Sequence, residues 1–329
     1  MRIRPLLHSC AALLLALPAS LAAQKITLEE IFLSGDFRAE SFSPVWSPDG
    51  ESFTLVETDS LRTGSDIWEQ GIRTGKRDRV IEGGRLVVPG ATAPLQVEEV
   101  IWHANRQRAL LYTNSQQVWR QRTKGTYYVY DLQGSRLVPL STAEGWQQFA
   151  KFSPDGTRVG FVRNNDLFVH DLRTGVETRL THDGSDVIIN GTFDWVYEEE
   201  LGLTDGWRWS PDGRKIAFWR LDQSPVKVFN WVNDLTGQYS TPIGLRYPKA
   251  GEAPSLAKIG VLDLATGATR WMETGGAPDD YLARMDWAAS SDEVVIQRLN
   301  RLQNRIDVLL ADAQSGESRV IFADTDSAW

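Results

Sequence analysis

A short turn motif that returns along the chain constrains the fold more than any other feature of this sequence. Trp/Phe-Ser-Pro-Asp-Gly occurs at residues 46–50, 152–156 and 209–213, and weaker copies begin at Trp102 and Trp287. Proline fixes φ at the second turn position, aspartate hydrogen-bonds its own backbone, and glycine accepts a positive φ, so each copy predicts a hairpin turn. Repeats of about 40 to 60 residues are typical of propellers and solenoids.

A second series of turns alternates with the first. Apolar runs lead into aspartate- and glycine-containing turns at residues 128–134, 167–175, 260–267 and 308–316, and a degenerate copy lies at 72–75. Two hairpins per period make one four-stranded blade, and blades arranged radially make a β-propeller. The predicted fold is therefore an all-β propeller with about five visible blades. A β-sandwich and an open solenoid are the alternatives.

The repeat continues to the last residue, Trp329, without a closing strand. A propeller closes because closure removes the unpaired edges of its sheets. We therefore expect residues 24–329 to form an incomplete propeller domain, truncated before the rest of a longer protein.

The first residues form a separate segment. Arg2 and Arg4 precede an apolar stretch and a run of small residues, which is typical of a secretory signal peptide. The apolar stretch is shorter than the roughly 20 residues that a membrane-spanning helix needs, although a retained membrane anchor is the alternative. The sequence thus predicts a signal peptide over residues 1–23, cleavage near Ala22 or Ala23, and a secreted or periplasmic protein without a membrane span.

Composition and residue types exclude several kinds of ligand. The formal net charge is −8, which argues against a nucleic-acid partner. The only cysteine, Cys10, lies in the predicted signal peptide, so the mature chain lacks disulfides and thiolate metal sites. His103, His170 and His182 form no pair at helical spacing and read as turn or strand residues, and no glycine-rich phosphate loop is present. We predict no metal site and no cofactor.

One acidic segment does not belong to the repeat. Residues 194–200 read Asp-Trp-Val-Tyr-Glu-Glu-Glu, between two blade signals. Three consecutive glutamates are most often a solvated charge run or the first turn of a helix. Here they follow an aromatic pair, which would hold the carboxylates beside apolar surface, where they repel one another unless a cation arrives. The segment predicts a short helical insertion that binds a cation.

This segment resembles the double-glutamate motif of the dipeptidyl peptidase IV family, within the prolyl oligopeptidase superfamily. The resemblance implies that Glu199 and Glu200 bind the free N-terminal ammonium of a peptide substrate. Trp119-Arg120, followed by residues 127–132, resembles the stretch whose arginine reaches the substrate's second carbonyl. Arg120 is therefore the third predicted binding residue, with a cation–π contact or a surface ion pair as the alternative role.

The resemblance extends from about residue 40 to the end of the chain. It implies a secreted serine dipeptidyl peptidase that removes X-Pro or X-Ala dipeptides, forms a homodimer and carries its Ser-Asp-His triad in a C-terminal α/β-hydrolase domain. The G-x-S-x-G elbow of that domain does not occur in this sequence. We therefore expect no catalytic residue here, no turnover from this chain alone, and two partners: peptides with a free N-terminus and the missing hydrolase domain.

Two alternative functions remain open. A non-catalytic exported propeller that binds peptides or proteins would show the same repeats. An oligopeptidase of the same superfamily is disfavoured, because an enzyme that accepts internal peptide has no need for paired acids that hold an amine.

Overall fold

The computed structural model describes residues 26–37, 42–58 and 64–328. The predicted signal peptide, with cleavage near Ala22 or Ala23, lies outside the described residues.

The chain divides into two units, Met1–Ser43 and Pro44–Trp329. In the first unit, helix α1 (Leu28–Phe32) begins after Thr27, whose side-chain oxygen accepts a hydrogen bond of 3.1 Å from the backbone N–H of Glu30. The second unit contains every strand of the described residues.

The first three blades are antiparallel and follow one another along the chain. Blade 1 contains β1 (Val45–Trp46), β2 (Ser52–Thr58), β3 (Ser65–Gly71) and β4 (Arg77–Ile81). Blade 2 contains β5 (Val97–Trp102), β6 (Arg108–Val118), β7 (Gln121–Asp131) and β8 (Arg136–Pro139). Blade 3 contains β9 (Gln147–Phe152), β10 (Arg158–Arg163), β11 (Asp166–Asp171) and β12 (Glu177–Arg179).

Blade 4 differs from the other blades because it carries insertions. Strand β13 (Ile188–Asn190) and helix α2 (Trp195–Leu201) precede β14 (Trp207–Trp209) and β15 (Lys215–Asp222). A separate hairpin of β16 (Val228–Asn233) and β17 (Thr241–Arg246) then precedes β18 (Leu256–Asp263) and β19 (Thr269–Trp271). Blade 5 contains β20 (Tyr281–Trp287), β21 (Glu293–Leu299), β22 (Arg305–Asp312) and β23 (Ser318–Thr325).

The turn chemistry of the repeat explains the first hairpin of each blade. In the first copy, Ser47 Oγ donates to Asp49 Oδ1 over 2.6 Å, and the N–H of Gly50, whose φ is 69°, donates to the carbonyl of Ser47. The later copies repeat the bond between serine and aspartate, with Ser153 and Asp155 at 2.5 Å. The predicted hairpins and five blades are confirmed, with four strands in each blade except blade 4, whose sheet has five because both β13 and β14 pair with β15.

The core lies between the blades. Four clusters of buried apolar side chains separate successive blades, and the largest, between blades 4 and 5, also takes in residues of α2. Burial of apolar surface between neighbouring sheets is the main favourable contribution to the stability of this arrangement. Among the described residues, no helix is both long and apolar enough to cross a bilayer.

Blades 2 and 3 are also joined through the backbone. Gly125 of β7 pairs with Gln147 of β9, and the Gln147 side-chain oxygen accepts a bond of 3.0 Å from the N–H of Tyr127. The two blades therefore form one continuous eight-stranded sheet.

Candidate functional site

Helix α2 is delimited by residues at its two ends. Before its first turn, the carboxylate of Asp194 accepts a bond of 3.0 Å from the N–H of Tyr197. At its end, Gly202 adopts a left-handed conformation with φ of 65°, which a glycine accepts without strain. The acidic segment thus forms the short helical insertion that its sequence predicts.

Asp194 also ties the helix to blade 4. Its second oxygen accepts a hydrogen bond from Ser255 Oγ, and the side chain is buried. Burial raises the pKa of the Asp194 carboxyl, and the bonds from Ser255 and Tyr197 partly oppose that shift. The start of α2 therefore depends on one buried carboxyl group with two partners.

The inner face of α2 is fixed by aromatic contacts. Tyr197 is fully buried, its ring stacks on Phe193 at 5.4 Å, and its hydroxyl accepts a bond of 3.1 Å from the N–H of Leu282 in blade 5. Trp195 contacts Tyr247 at 4.5 Å between ring centroids. Blades 4 and 5 thus hold the helix, and its glutamates lie on the less buried side.

Arg120 reaches the helix from blade 2. Strands β6 and β7 extend into a long hairpin whose two-residue tip, Trp119 and Arg120, connects Val118 to its partner Gln121. A polar brace stiffens this extension, because Arg122 Nε donates to Ser115 Oγ over 2.7 Å. This brace gave no signal in the sequence.

The structure brings two of the three predicted binding residues into contact. Arg120 Nε lies 3.0 Å from Glu199 Oε1 and 2.8 Å from Glu199 Oε2. The Glu199 side chain is 14% exposed, whereas that of Arg120 is 80% exposed. Glu200 is exposed and forms no hydrogen bond or ion pair with any described residue. An exposed guanidinium contributes little to stability through such a pair and moves readily to another partner.

Glu198, the first glutamate of the run, is a different kind of acid. It is half-buried, and its Oε1 atom is buried without a hydrogen-bond partner among the described residues. Burial, followed by the negative charge of Glu199, raises the pKa of Glu198 to about 7. Near neutral pH, Glu198 is therefore partly protonated.

Replacing Glu198 with glutamine should raise the free energy of unfolding at pH 8 and leave it nearly unchanged at pH 4. Because the pKa of Glu198 is raised in the folded state, the folded state binds the proton more tightly than the unfolded state does. The corresponding stability is present below pH 4.5 and is lost as the pH rises through about 7. Since the group is half-exposed, we discount the effect to about 1 kcal/mol.

The measurement is the urea midpoint of Glu198→Gln and wild type between pH 4 and 8. The matched control is Glu144→Gln, at an exposed loop position. A difference between Glu198→Gln and wild type that does not change with pH would contradict the prediction.

The structure adds further residues near the predicted site. The Tyr281 hydroxyl accepts a bond from Arg301, and the pKa of Tyr281 is raised by burial and, to a smaller degree, by carboxylates that include Glu200. The Tyr281 ring lies 6.1 Å from the ring of Tyr197 in α2, in an edge-to-face arrangement. Within the described ranges, no group of three or more His, Cys, Asp or Glu residues could hold a metal ion.

Comparisons with known proteins agree with this architecture. The model of the dipeptidyl peptidase IV N-terminal region matches residues 103–329. Dipeptidyl-aminopeptidase B of Aspergillus niger is 27% identical over 94% of this chain, and a probable dipeptidyl-aminopeptidase B of Talaromyces marneffei is 30% identical over 92%. The chain spans 37% of the length of each of these two relatives.

A solved structure shows the same fold. The crystal structure of Porphyromonas gingivalis dipeptidyl peptidase 4 superposes with a TM-score of 0.83 at 30% identity, covering 92% of this chain and 42% of that one. Since the family model matches well over half of the chain, these 329 residues belong to the dipeptidyl peptidase IV family and contain the propeller of its N-terminal region.

Proposed function

We propose that this propeller recognises the free N-terminus of peptides for an exported serine dipeptidyl peptidase that removes X-Pro or X-Ala dipeptides. Similarity to dipeptidyl-aminopeptidases and to a dipeptidyl peptidase 4 supports the reaction class. In this proposal, bond cleavage takes place in a C-terminal hydrolase domain of a longer, homodimeric protein. This chain would hold the N-terminus of the substrate in place, and that position decides which peptide bond lies next to the nucleophile.

The observation that carries the proposal is the Arg120–Glu199 ion pair beside the unpaired Glu200. Of the two adjacent carboxylates, only Glu199 has a guanidinium partner among the described residues, so this part of the helix keeps an excess negative charge. An ammonium ion that binds both carboxylates forms charge-assisted hydrogen bonds, which are about twice as strong as neutral ones.

Binding of the amine would also release Arg120. Once an ammonium neutralises Glu199, the guanidinium loses its partner and can donate to a peptide carbonyl instead. Because Arg120 is the exposed member of the pair, it can turn without disturbing buried structure. Glu199, Glu200 and Arg120 would thus together bind the N-terminal amine and the peptide carbonyl that follows it.

The test measures peptide binding to the chain by titration calorimetry. We expect an Ala-Pro peptide with a free N-terminus to bind at least about tenfold more tightly than its acetylated form, since an uncharged amide cannot replace the ammonium. Glu199→Gln and Glu200→Gln should each remove most of that difference. Glu317→Gln, at an exposed turn, is the control and should leave it intact.

Two results would count against the proposal. Equal affinity for free and acetylated peptides would show that the two glutamates do not bind the N-terminal amine. A preference that survives in both glutamine variants would place the recognition elsewhere in the molecule.

A further inference from the structure

A cleft between blades 2 and 3 lies apart from the residues of α2. It has a volume of about 660 Å³ and opens beside the turns that end β7 and β11. Its wall contains four charged side chains (Arg108, Asp131, Arg136 and Arg173) together with the His170 ring and apolar side chains. None of these residues takes part in the amine site proposed above.

The charges in the cleft do not balance. Arg108 Nε lies 3.4 Å from Asp131 Oδ2, and Arg108 Nη1 donates to the carbonyl of Gly156 over 3.0 Å. This arginine therefore already has partners within the fold. Arg136 and Arg173 are exposed, and their guanidinium groups form no hydrogen bond or ion pair with the described residues. The wall therefore has two arginines without a direct ion-pair partner among the described residues, in a chain of net charge −8.

The neighbouring carboxylates are already occupied. Asp171 Oδ1 accepts hydrogen bonds from the backbone N–H of Arg173, at 3.0 Å, and from the backbone N–H of Thr174, at 2.7 Å. These bonds shape the turn. Glu177 pairs with Arg163 at 2.5 Å. Glu177 is therefore paired already. The bonds from Thr174 and, to a smaller degree, the charge of Arg173 lower the pKa of Asp171, so this carboxylate compensates Arg173 only in part.

His170 adds an unsatisfied nitrogen to the same wall. Its Nδ1 atom is buried and lacks a hydrogen-bond partner within the described part of the chain. Burial lowers the pKa of His170, although Glu177 and Asp171 oppose the shift. The ring is therefore neutral near pH 7 and adds no charge of its own to the wall.

The repeats show that the turn itself does not require these residues. The position before the turn aspartate holds Tyr130, His170, Leu262 and Ala311 in blades 2 to 5. The second position after the aspartate holds Gln133, Arg173, Ala265 and Gln314. Only blade 3 combines a histidine with an arginine. The backbone bond from the turn glycine to the carbonyl of the aspartate recurs in blades 4 and 5, so the turn forms there without either residue. In blade 2 the turn differs, because the N–H of Gly134 donates to the Asp131 side chain.

The equivalent cleft between blades 4 and 5 makes the same point. Its wall contains Ala313 and Gln314 where blade 3 has Leu172 and Arg173. Both clefts contain cationic side chains, since Lys215 and Arg270 line the one between blades 4 and 5. The combination of His170 with Arg173 is particular to the cleft between blades 2 and 3.

We propose that the cleft between blades 2 and 3 binds an oxyanion with two negative charges, held between Arg136 and Arg173 with His170 beside it. A guanidinium forms two parallel hydrogen bonds with a carboxylate or a phosphate group, so both chemistries fit the arrangement. The ligand class is a phosphorylated or polycarboxylate small molecule.

The test is calorimetric titration of the chain with inorganic phosphate and, separately, with citrate, at constant ionic strength. Arg136→Gln and Arg173→Gln should each weaken binding about tenfold, as expected for the loss of a hydrogen bond to a charged group. Both residues are exposed, so the variants should fold, and circular dichroism confirms it. Arg270→Gln, at the exposed arginine of the cleft between blades 4 and 5, is the matched control and should bind like wild type.

The comparison of the two anions shows whether the negative charge of the ligand comes from a phosphate group or from carboxylate groups. Tighter binding of phosphate supports a phosphorylated ligand, and tighter binding of citrate supports a polycarboxylate. Absence of binding by either anion at about 10 mM, the weak end of specific affinities, would overturn the proposal. Equal weakening by Arg270→Gln and Arg136→Gln would do the same, because it would reveal non-specific attraction to surface charge.

Discussion

Replacing Trp207 with alanine should lower the free energy of unfolding by about 3–5 kcal/mol, the range for loss of a large buried aromatic ring. Trp207 is fully buried in the cluster between blades 3 and 4. A methyl group at Gly160 would lie 2.6 Å from the Cη2 atom of Trp207, so neighbouring residues leave no room beyond the ring itself. Because these blades are rigid sheets, the cavity should collapse only in part.

The same substitution also removes a partner of Lys151. The Lys151 ammonium lies 3.9 Å from the Trp207 ring centroid and donates to Asp205 at 2.5 Å. Burial lowers the pKa of Lys151 to about 8, and the charge of Asp205 opposes that shift. Loss of the ring removes this cation–π contact, which adds a further cost to the lost packing.

Denaturant unfolding, followed by tryptophan fluorescence and circular dichroism, measures the effect. Trp46→Ala is the matched control, since Trp46 is 60% exposed and its loss should cost less than about 1 kcal/mol. Similar destabilisation by the two substitutions would mean that burial at Trp207 does not decide the outcome.

Replacing Asp194 with alanine should destabilise α2 by about 2–4 kcal/mol and release the glutamates from their position. The substitution removes an N-terminal cap and leaves the buried Ser255 hydroxyl without a partner, and these two costs add. Asp194→Asn keeps an oxygen that accepts from the Tyr197 N–H, so it should cost much less. Ser255→Ala removes one of the two bonds and should fall between them.

Amide hydrogen exchange over residues 195–201 measures this effect directly. The exchange of these amides should accelerate by about 30-fold or more in Asp194→Ala, the factor that corresponds to 2 kcal/mol. The difference in affinity between free and acetylated peptides should shrink in the same variant. Unchanged exchange in Asp194→Ala would show that aromatic packing alone holds the helix.

The blades could be predicted from sequence because their determinants are local. Ser47, Asp49 and Gly50 lie within one turn, and their hydrogen bonds need no distant partner. The helix α2 could be predicted for a similar reason, since its cap and its acids are consecutive. Its attachment could not, because Ser255 and Leu282 lie far away in the sequence.

The hairpin of β16 and β17 escaped prediction. It lies between two strands of blade 4 and has neither of the repeated turn motifs, so periodicity gave no signal for it. It accounts for the long interval between the last two blade signals, at Trp209 and Trp287. Likewise, sequence reasoning assigned Arg120 and Glu199 to a substrate independently, whereas the structure pairs them with each other.

The continuous sheet of blades 2 and 3 has a mechanical consequence. Strand β7, which follows Arg120, belongs to blade 2 and pairs through Gly125 with Gln147 of blade 3, whereas Glu199 belongs to an insertion of blade 4. A peptide held between Arg120 and Glu199 would therefore act as a removable cross-link over three consecutive blades. Pulling the chain from its two ends should require more force when the peptide is bound, because the seam between blades 3 and 4 cannot open until the ligand leaves.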